Sequence, residues 1–275
     1  MRIAPEVFES VDEIGRSVAT TIADGIAAAG KAGRRYLLGC PTGRSPEPVY
    51  RALADEVRAR RLDLSHVVVV LMDDYLERGP DGTPHPVAED LPHSCVGWAR
   101  RRIVGPLALA AKEAGVSGDV TTWAADPADP AAYDARIRDA GGIDLFLLAS
   151  GASDGHIAFN PPGSPRDSVT RVVELGEATR RDNLATFPEF PNLQAVPTLG
   201  VSVGISTIAD LSTSVVMLVH GSDKVEAYHR LATALDYEPD WPATILTECR
   251  RPRLVADLTA AAPTLPAETS LSARH

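Results

Sequence analysis

This sequence has no surplus of basic residues. Its 27 lysines and arginines stand against 37 aspartates and glutamates, a net charge of -10. That balance disfavours nucleic acid and anionic membrane surfaces as bulk partners, while leaving room for a small anionic ligand held by a few local basic groups. Cysteine is also scarce. Cys40, Cys95 and Cys249 are an odd number at wide spacing, which supports neither a zinc pattern nor a disulfide framework. No apolar run reaches membrane-spanning length, and the N-terminal stretch MRIAPEVFESVDEIG lacks the apolar centre of a secretion signal. These absences point to a cytoplasmic enzyme or binding protein. What is present is ordinary for a globule: 44% hydrophobic residues, a mean hydropathy of -0.05 and 275 residues, enough for a substantial core.

Along the chain, apolar β-branched runs alternate with helical spacing. Strands are expected at 35–39, 66–72, 119–123, 143–149, 171–175 and 214–220, with an edge strand at 253–257. Helices are expected at 12–30, 46–60, 92–112, 130–140 and 222–234. Residues 77–89, rich in proline, glycine and aspartate, read as a loop, and 179–197, with prolines at 188, 191 and 197, takes no assignment. The run HVVVVLM suits a strand covered on both faces. The alternation predicts an α/β fold with a doubly wound, mostly parallel sheet and helices on both faces, a three-layer, Rossmann-like arrangement. No linker or repeat divides the chain, so residues 1–275 are read as a single domain with a frayed tail from Ala262.

In such sheets ligands bind beyond the carboxyl ends of the strands. Four polar turns stand there. Cys40-Pro41-Thr42-Gly43-Arg44-Ser45-Pro46 offers free amides at a helix start, with Ser45 as N-cap, Pro46 as first helical residue and Gly43 allowing close approach, an arrangement suited to a phosphate. Asp73 and Asp74 end a buried strand. They cannot both point the same way, so one faces the ligand and can act as a base next to a carbonyl. Asp154 and His156, two apart, fit either a proton-shuttle pair or a capped turn with a satisfied histidine, and the capped turn is the commoner case for an isolated Asp-Gly-His. Lys224 follows the 214–220 strand, where it can close on the same anion. GIAAAGKA at 25–32 nearly spells a phosphate-binding loop but ends in Ala32 and precedes a strand, the wrong context. Metal binding by Asp73, Asp74, Asp154 and His156 lacks any recognisable ligand spacing, so no metal is expected.

PTGRSP, LMDDY, DLFLLASGASDGHIAFNPPGS, TRV, SVGISTIAD and the GSDK segment, in this order, resemble the glucosamine-6-phosphate deaminases, within the wider group that includes 6-phosphogluconolactonases, from about Ile3 to Val255. The DGHIAFN form is that of the deaminases. The resemblance implies phosphate binding by residues 42–45 and Lys224. It implies proton transfer between C2 and C1 by Asp73, ring opening by His156 assisted by Asp154, and supporting roles for Asp74 and Asn160, with no cofactor. Departures accompany it. Asp74 replaces a glutamate and Pro161 stands where the family has a glutamate that supports the histidine. Ala185 falls where an arginine grips phosphate, Arg44 replaces a small residue, and residues 77–89 lengthen a rim loop. Arg171 matches an effector-binding arginine of some members, but Val173 stands where those carry a lysine, so no such regulation is expected. The function implied is isomerisation with deamination of an amino-sugar phosphate, on a standard or modified substrate. Lactone hydrolysis and a non-catalytic sugar-phosphate sensor are the alternatives, and a homo-oligomer is compatible with any of them.

Overall fold

A computed structural model of the chain describes residues 2–263. The chain begins with β1 (Glu6–Phe8), α1 (Val11–Lys31), β2 (Tyr36–Cys40), α2 (Glu47–Arg60) and β3 (Val67–Leu71). There follow β4 (Asp73–Arg78), β5 (Pro84–Pro86), α3 (Cys95–Ala99), α4 (Gly105–Glu113), β6 (Thr121–Trp123), α5 (Pro130–Asp139) and β7 (Leu145–Ala149). The last third holds β8 (Arg171–Glu174), α6 (Glu177–Thr186), β9 (Leu199–Ser202), α7 (Ile205–Asp210), β10 (Val215–Val219), α8 (Val225–Thr233) and β11 (Pro252–Asp257).

Seven strands form a parallel sheet in the order β1-β11-β10-β7-β2-β3-β6. Leaving out the short β1, the chain starts in the middle at β2, runs outward through β3 to β6, then returns to β7 and runs outward the other way. This is the doubly wound order, and its switch point lies between β2 and β7. Side chains alternate along each strand and feed two cores. Val67, Val69 and Leu71 pack with α1, α2 and α4, whereas Val68 and Val70 join α5, α7 and α8 on the other face. Leu145 and Leu147 against Phe146 and Leu148 divide in the same way. Helix α1 buries Ile14, Val18, Ile22 and Ile26, one stripe at four-residue spacing, and Ser10 caps it by accepting from the Glu13 amide. The expected α/β, three-layer, Rossmann-like class is the observed one.

Five expectations need correction. Residues 77–89 are not all loop, because β4 and β5 pair there as a hairpin. With β8 and β9 they make a second, antiparallel sheet in the order β5-β4-β9-β8, so the strand expected at 171–175 lies outside the parallel sheet. Strand β11 is not an edge, since β1 pairs alongside it. The helix expected at 92–112 starts at Cys95 and is interrupted by a π-turn at Arg100–Val104. There the Gly105 amide reaches back five residues to Arg100 O, and Pro106 has no amide to continue the regular ladder. Ser45 is not an N-cap, because α2 begins after Pro46 without a side-chain cap. Most of the tail expected to fray lies outside the described residues; within them, Ala262 O is bonded to the His229 ring.

Candidate active site

The turns after β2, β3, β7 and β10 converge on one cleft of about 410 Å³ at the switch point. Thr42, Gly43, Arg44 and Ser45 line it, with Asp73, His156 and Lys224. The loop 42–45 is fixed from both sides. Tyr50 Oη donates to Pro41 O at 2.7 Å, and the His220 ring lies 2.9 Å from Ser45 O. Among the described residues the amides of 42–45 donate no hydrogen bond, so they remain available to an anion.

The chain leaves the parallel sheet at the end of β3, passes through Met72 and enters the second sheet as β4, and this places the first two residues of β4 on opposite faces. Asp73 opens into the cleft. Its pKa is pushed up to about 7, chiefly by burial, with hydrogen bonding from the Cys95 thiol (Sγ to Oδ1, 3.5 Å) working against this and the Asp74 charge adding to it. Asp74 points inward. It is 4% exposed and accepts from the amides of Tyr75 and Cys95 at 2.8 Å and Val96 at 3.3 Å. It therefore ties β4 to the start of α3 and does not line the cleft.

The turn after β7 carries the second pair. His156 Nδ1 is 2.7 Å from Asp154 Oδ1, and the same oxygen accepts from the His156 amide at 3.1 Å. Asp154 sits behind the ring, outside the cleft lining, and its pKa is lowered: burial raises it, but hydrogen bonding and charge from His156 outweigh that. With Nδ1 on the carboxylate, Nε2 is the nitrogen left for the cleft. Gly151 makes the turn feasible, because a Cβ there would lie 2.2 Å from Nδ1 and 2.4 Å from Asp154 Oδ1. Gly155, at a φ of 63°, faces Trp241 as closely.

Lys224 precedes α8 and donates to Ser150 O at 2.8 Å. Burial lowers its pKa, opposed chiefly by the Asp182 carboxylate. Asn160 is not in the cleft. It is fully buried, donates to Val203 O at 2.7 Å and accepts from Arg171 at 2.8 Å, pinning the DGHIAFN turn to the second sheet. Pro161 also lies outside the lining, whereas Ala185 is part of it. Sequence reasoning missed Cys95, Asp182 and Asn183. All three line the cleft, and Asn183 Nδ2 is buried without a partner, a donor for an incoming acceptor. They come from α3 and α6, whose placement no local pattern announces. Among the described residues no group of three or more histidine, cysteine or acidic side chains is arranged to hold a metal ion, and no helix is long and apolar enough to cross a membrane.

The fold and the cleft define a doubly wound α/β protein with an open cleft at the sheet's switch point, the place where sheets of this kind take ligands. More narrowly, the chain belongs to the glucosamine-6-phosphate isomerase/6-phosphogluconolactonase family, whose model matches residues 9–255. A glucosamine-6-phosphate deaminase of Shouchella clausii is 33% identical over 227 residues, 82% of this chain and 85% of that protein. A solved monomeric glucosamine-6-phosphate deaminase superposes with a TM-score of 0.78 at 27% identity, covering 95% of this chain and 99% of its own. A 6-phosphogluconolactonase from Shewanella baltica shares the fold, with a TM-score of 0.63 at 15% identity over 94% of this chain and 99% of its own.

Proposed function

We propose that the chain catalyses aldose–ketose isomerisation with deamination of an amino-sugar phosphate, as a glucosamine-6-phosphate deaminase does. The observation that carries the reading is the meeting of Asp73, made basic by burial, with the His156–Asp154 pair in one cleft beside the free amides of 42–45. The amides, Arg44 and Lys224 take the phosphate. His156 Nε2 passes a proton to the ring oxygen as the ring opens, and Asp154 holds Nδ1 and stabilises the imidazolium. Asp73 then removes the C2 proton, acidified by the C1 carbonyl, whose oxygen takes back from water the proton that O1–H gave up on ring opening. The resulting enolamine takes the proton back at C1, leaving an iminium at C2. Water adds there, ammonia leaves, and a ketose phosphate remains. A carboxylate whose pKa lies near neutral matches the proton affinity a general base needs at physiological pH.

Of the departures from the family pattern, Pro161 and Ala185 replace residues with roles in this chemistry. Pro161 stands away from the cleft, so its inability to accept a hydrogen bond leaves the Asp154–His156 contact intact. Arg44 and Lys224 supply cationic groups at a cleft where Ala185 supplies none. The test is release of ammonia and fructose 6-phosphate from glucosamine 6-phosphate by the purified protein. Turnover that falls at least about 100-fold in Asp73→Asn is expected. Acid release from 6-phosphogluconolactone without ammonia release would assign lactone hydrolysis instead.

A further inference from the structure

The Cys95 thiol is the side-chain donor that reaches Asp73, and the mechanism above makes no use of it. Its Sγ is 3.5 Å from Asp73 Oδ1 and 3.4 Å from Thr42 Oγ1 in the loop 42–45. Cys95 is 1% exposed and contributes to the cleft wall. Its backbone is held as well: it is the first residue of α3, and its amide donates to Asp74 Oδ1 at 2.8 Å. One residue thus links the two neighbouring acids. Asp74 grips its backbone, and its thiol touches Asp73. An ionised carboxylate only accepts, so the hydrogen-bond chain runs from the Thr42 hydroxyl to sulfur and from S–H to Asp73. Burial first, then the Asp74 and Asp73 charges, push the thiol pKa well up, so it stays an S–H donor rather than a thiolate nucleophile.

We propose that Cys95 is a positioning residue for Asp73: its S–H, aimed by Asp74 and polarised by Thr42, donates to Oδ1 and holds the carboxylate ionised and turned into the cleft. The inference rests on the reading of Asp73 as the base. The other groups facing Asp73 do not replace this contact. Asp74 beside it only repels its charge. Tyr50 from α2 and Tyr75 from β4 are buried phenols whose pKa values are pushed up, so they remain neutral. His156 and Lys224 line the same cleft, and their side-chain hydrogen bonds go to Asp154 and Ser150.

The experiment is a carboxyl carbon-13 NMR titration of aspartate-labelled protein, with Asp73 assigned by the resonance lost in Asp73→Asn. It is run on wild type, Cys95→Ala and Cys95→Ser, beside pH profiles of kcat/KM. Losing the donor should raise the Asp73 midpoint by about half a pH unit, a roughly threefold fall in ionised fraction below the midpoint. The acid limb of kcat/KM should move with it. Cys95→Ser puts a stronger hydroxyl donor in place of the weak thiol and should lower the midpoint below that of wild type, which also decides the matter if the alanine variant does not fold. A midpoint unmoved in Cys95→Ala, or not lowered in Cys95→Ser, would overturn the proposal and leave Cys95 as packing. Because the titration reads resting protein, a wild type without turnover would sink the functional reading alone.

Discussion

Replacing Asp74 with alanine should cost the fold more than any change to Asp73. The carboxylate receives three backbone amides, those of Tyr75 and Cys95 at 2.8 Å and Val96 at 3.3 Å. Alanine leaves all three donors without their partner at a position 4% exposed. Hydrogen bonds to a charged acceptor contribute about 1.5–3 kcal/mol each, and the long one belongs below that range. Against this stands relief of the buried charge, since burial is the largest influence on Asp74 and raises its pKa. The net expectation is a loss of about 3 kcal/mol, or a melting temperature lower by roughly 6–12 °C for a chain of this size. Guanidinium unfolding followed by circular dichroism measures it, with Asp74→Asn as the intermediate case because an amide oxygen still accepts. A loss under about 1 kcal/mol in Asp74→Ala would refute the assignment of Asp74 as the tether between β4 and α3. The division of labour between the two adjacent acids would then have to be redrawn.

Asp73→Asn should have the opposite effect on stability, and the effect should depend on pH. With a folded pKa of about 7 against an ordinary 3.8, the folded state holds more protons than the unfolded state between those values. Stability of the wild type therefore falls as pH rises through that window, and the variant should gain relative to wild type from about pH 4 upward and level off above pH 7. A gain independent of pH, read from unfolding midpoints at pH 4, 6 and 8, would contradict the raised pKa. Gly151→Ala should separate Asp154 from His156, because the new Cβ would fall within 2.4 Å of both side chains. Turnover should drop at least about tenfold while urea unfolding changes by less than about 2 kcal/mol, and unchanged turnover would mean that the pair is not needed.

The sequence by itself determined the architecture. Continuous β-branched runs such as HVVVVLM have to be covered on both faces, and their alternation with helical spacing leaves a doubly wound parallel sheet as the economical solution. It also determined that the polar turns gather at one end of the sheet, because residues that follow such strands must lie on one rim. The loop 42–45, the Asp73-Asp74 pair, His156 and Lys224 were placed on that rim for this reason, and the loop, Asp73, His156 and Lys224 line the cleft. Tertiary structure decided the rest. Which of two consecutive acids faces the cleft depends on the chain crossing through Met72 into a second sheet as β4, whose pairing partners lie more than a hundred residues away at Leu199–Ser202. Cys95 reaches Asp73 across 22 positions, and Asp182 meets the Ala152 amide across 30. Asn160, inside the most recognisable motif, proved to be buried scaffolding. Local spacing encodes period and polarity. It carries no record of which distant segment will supply the other wall, since that is settled only when the two cores close around the sheet.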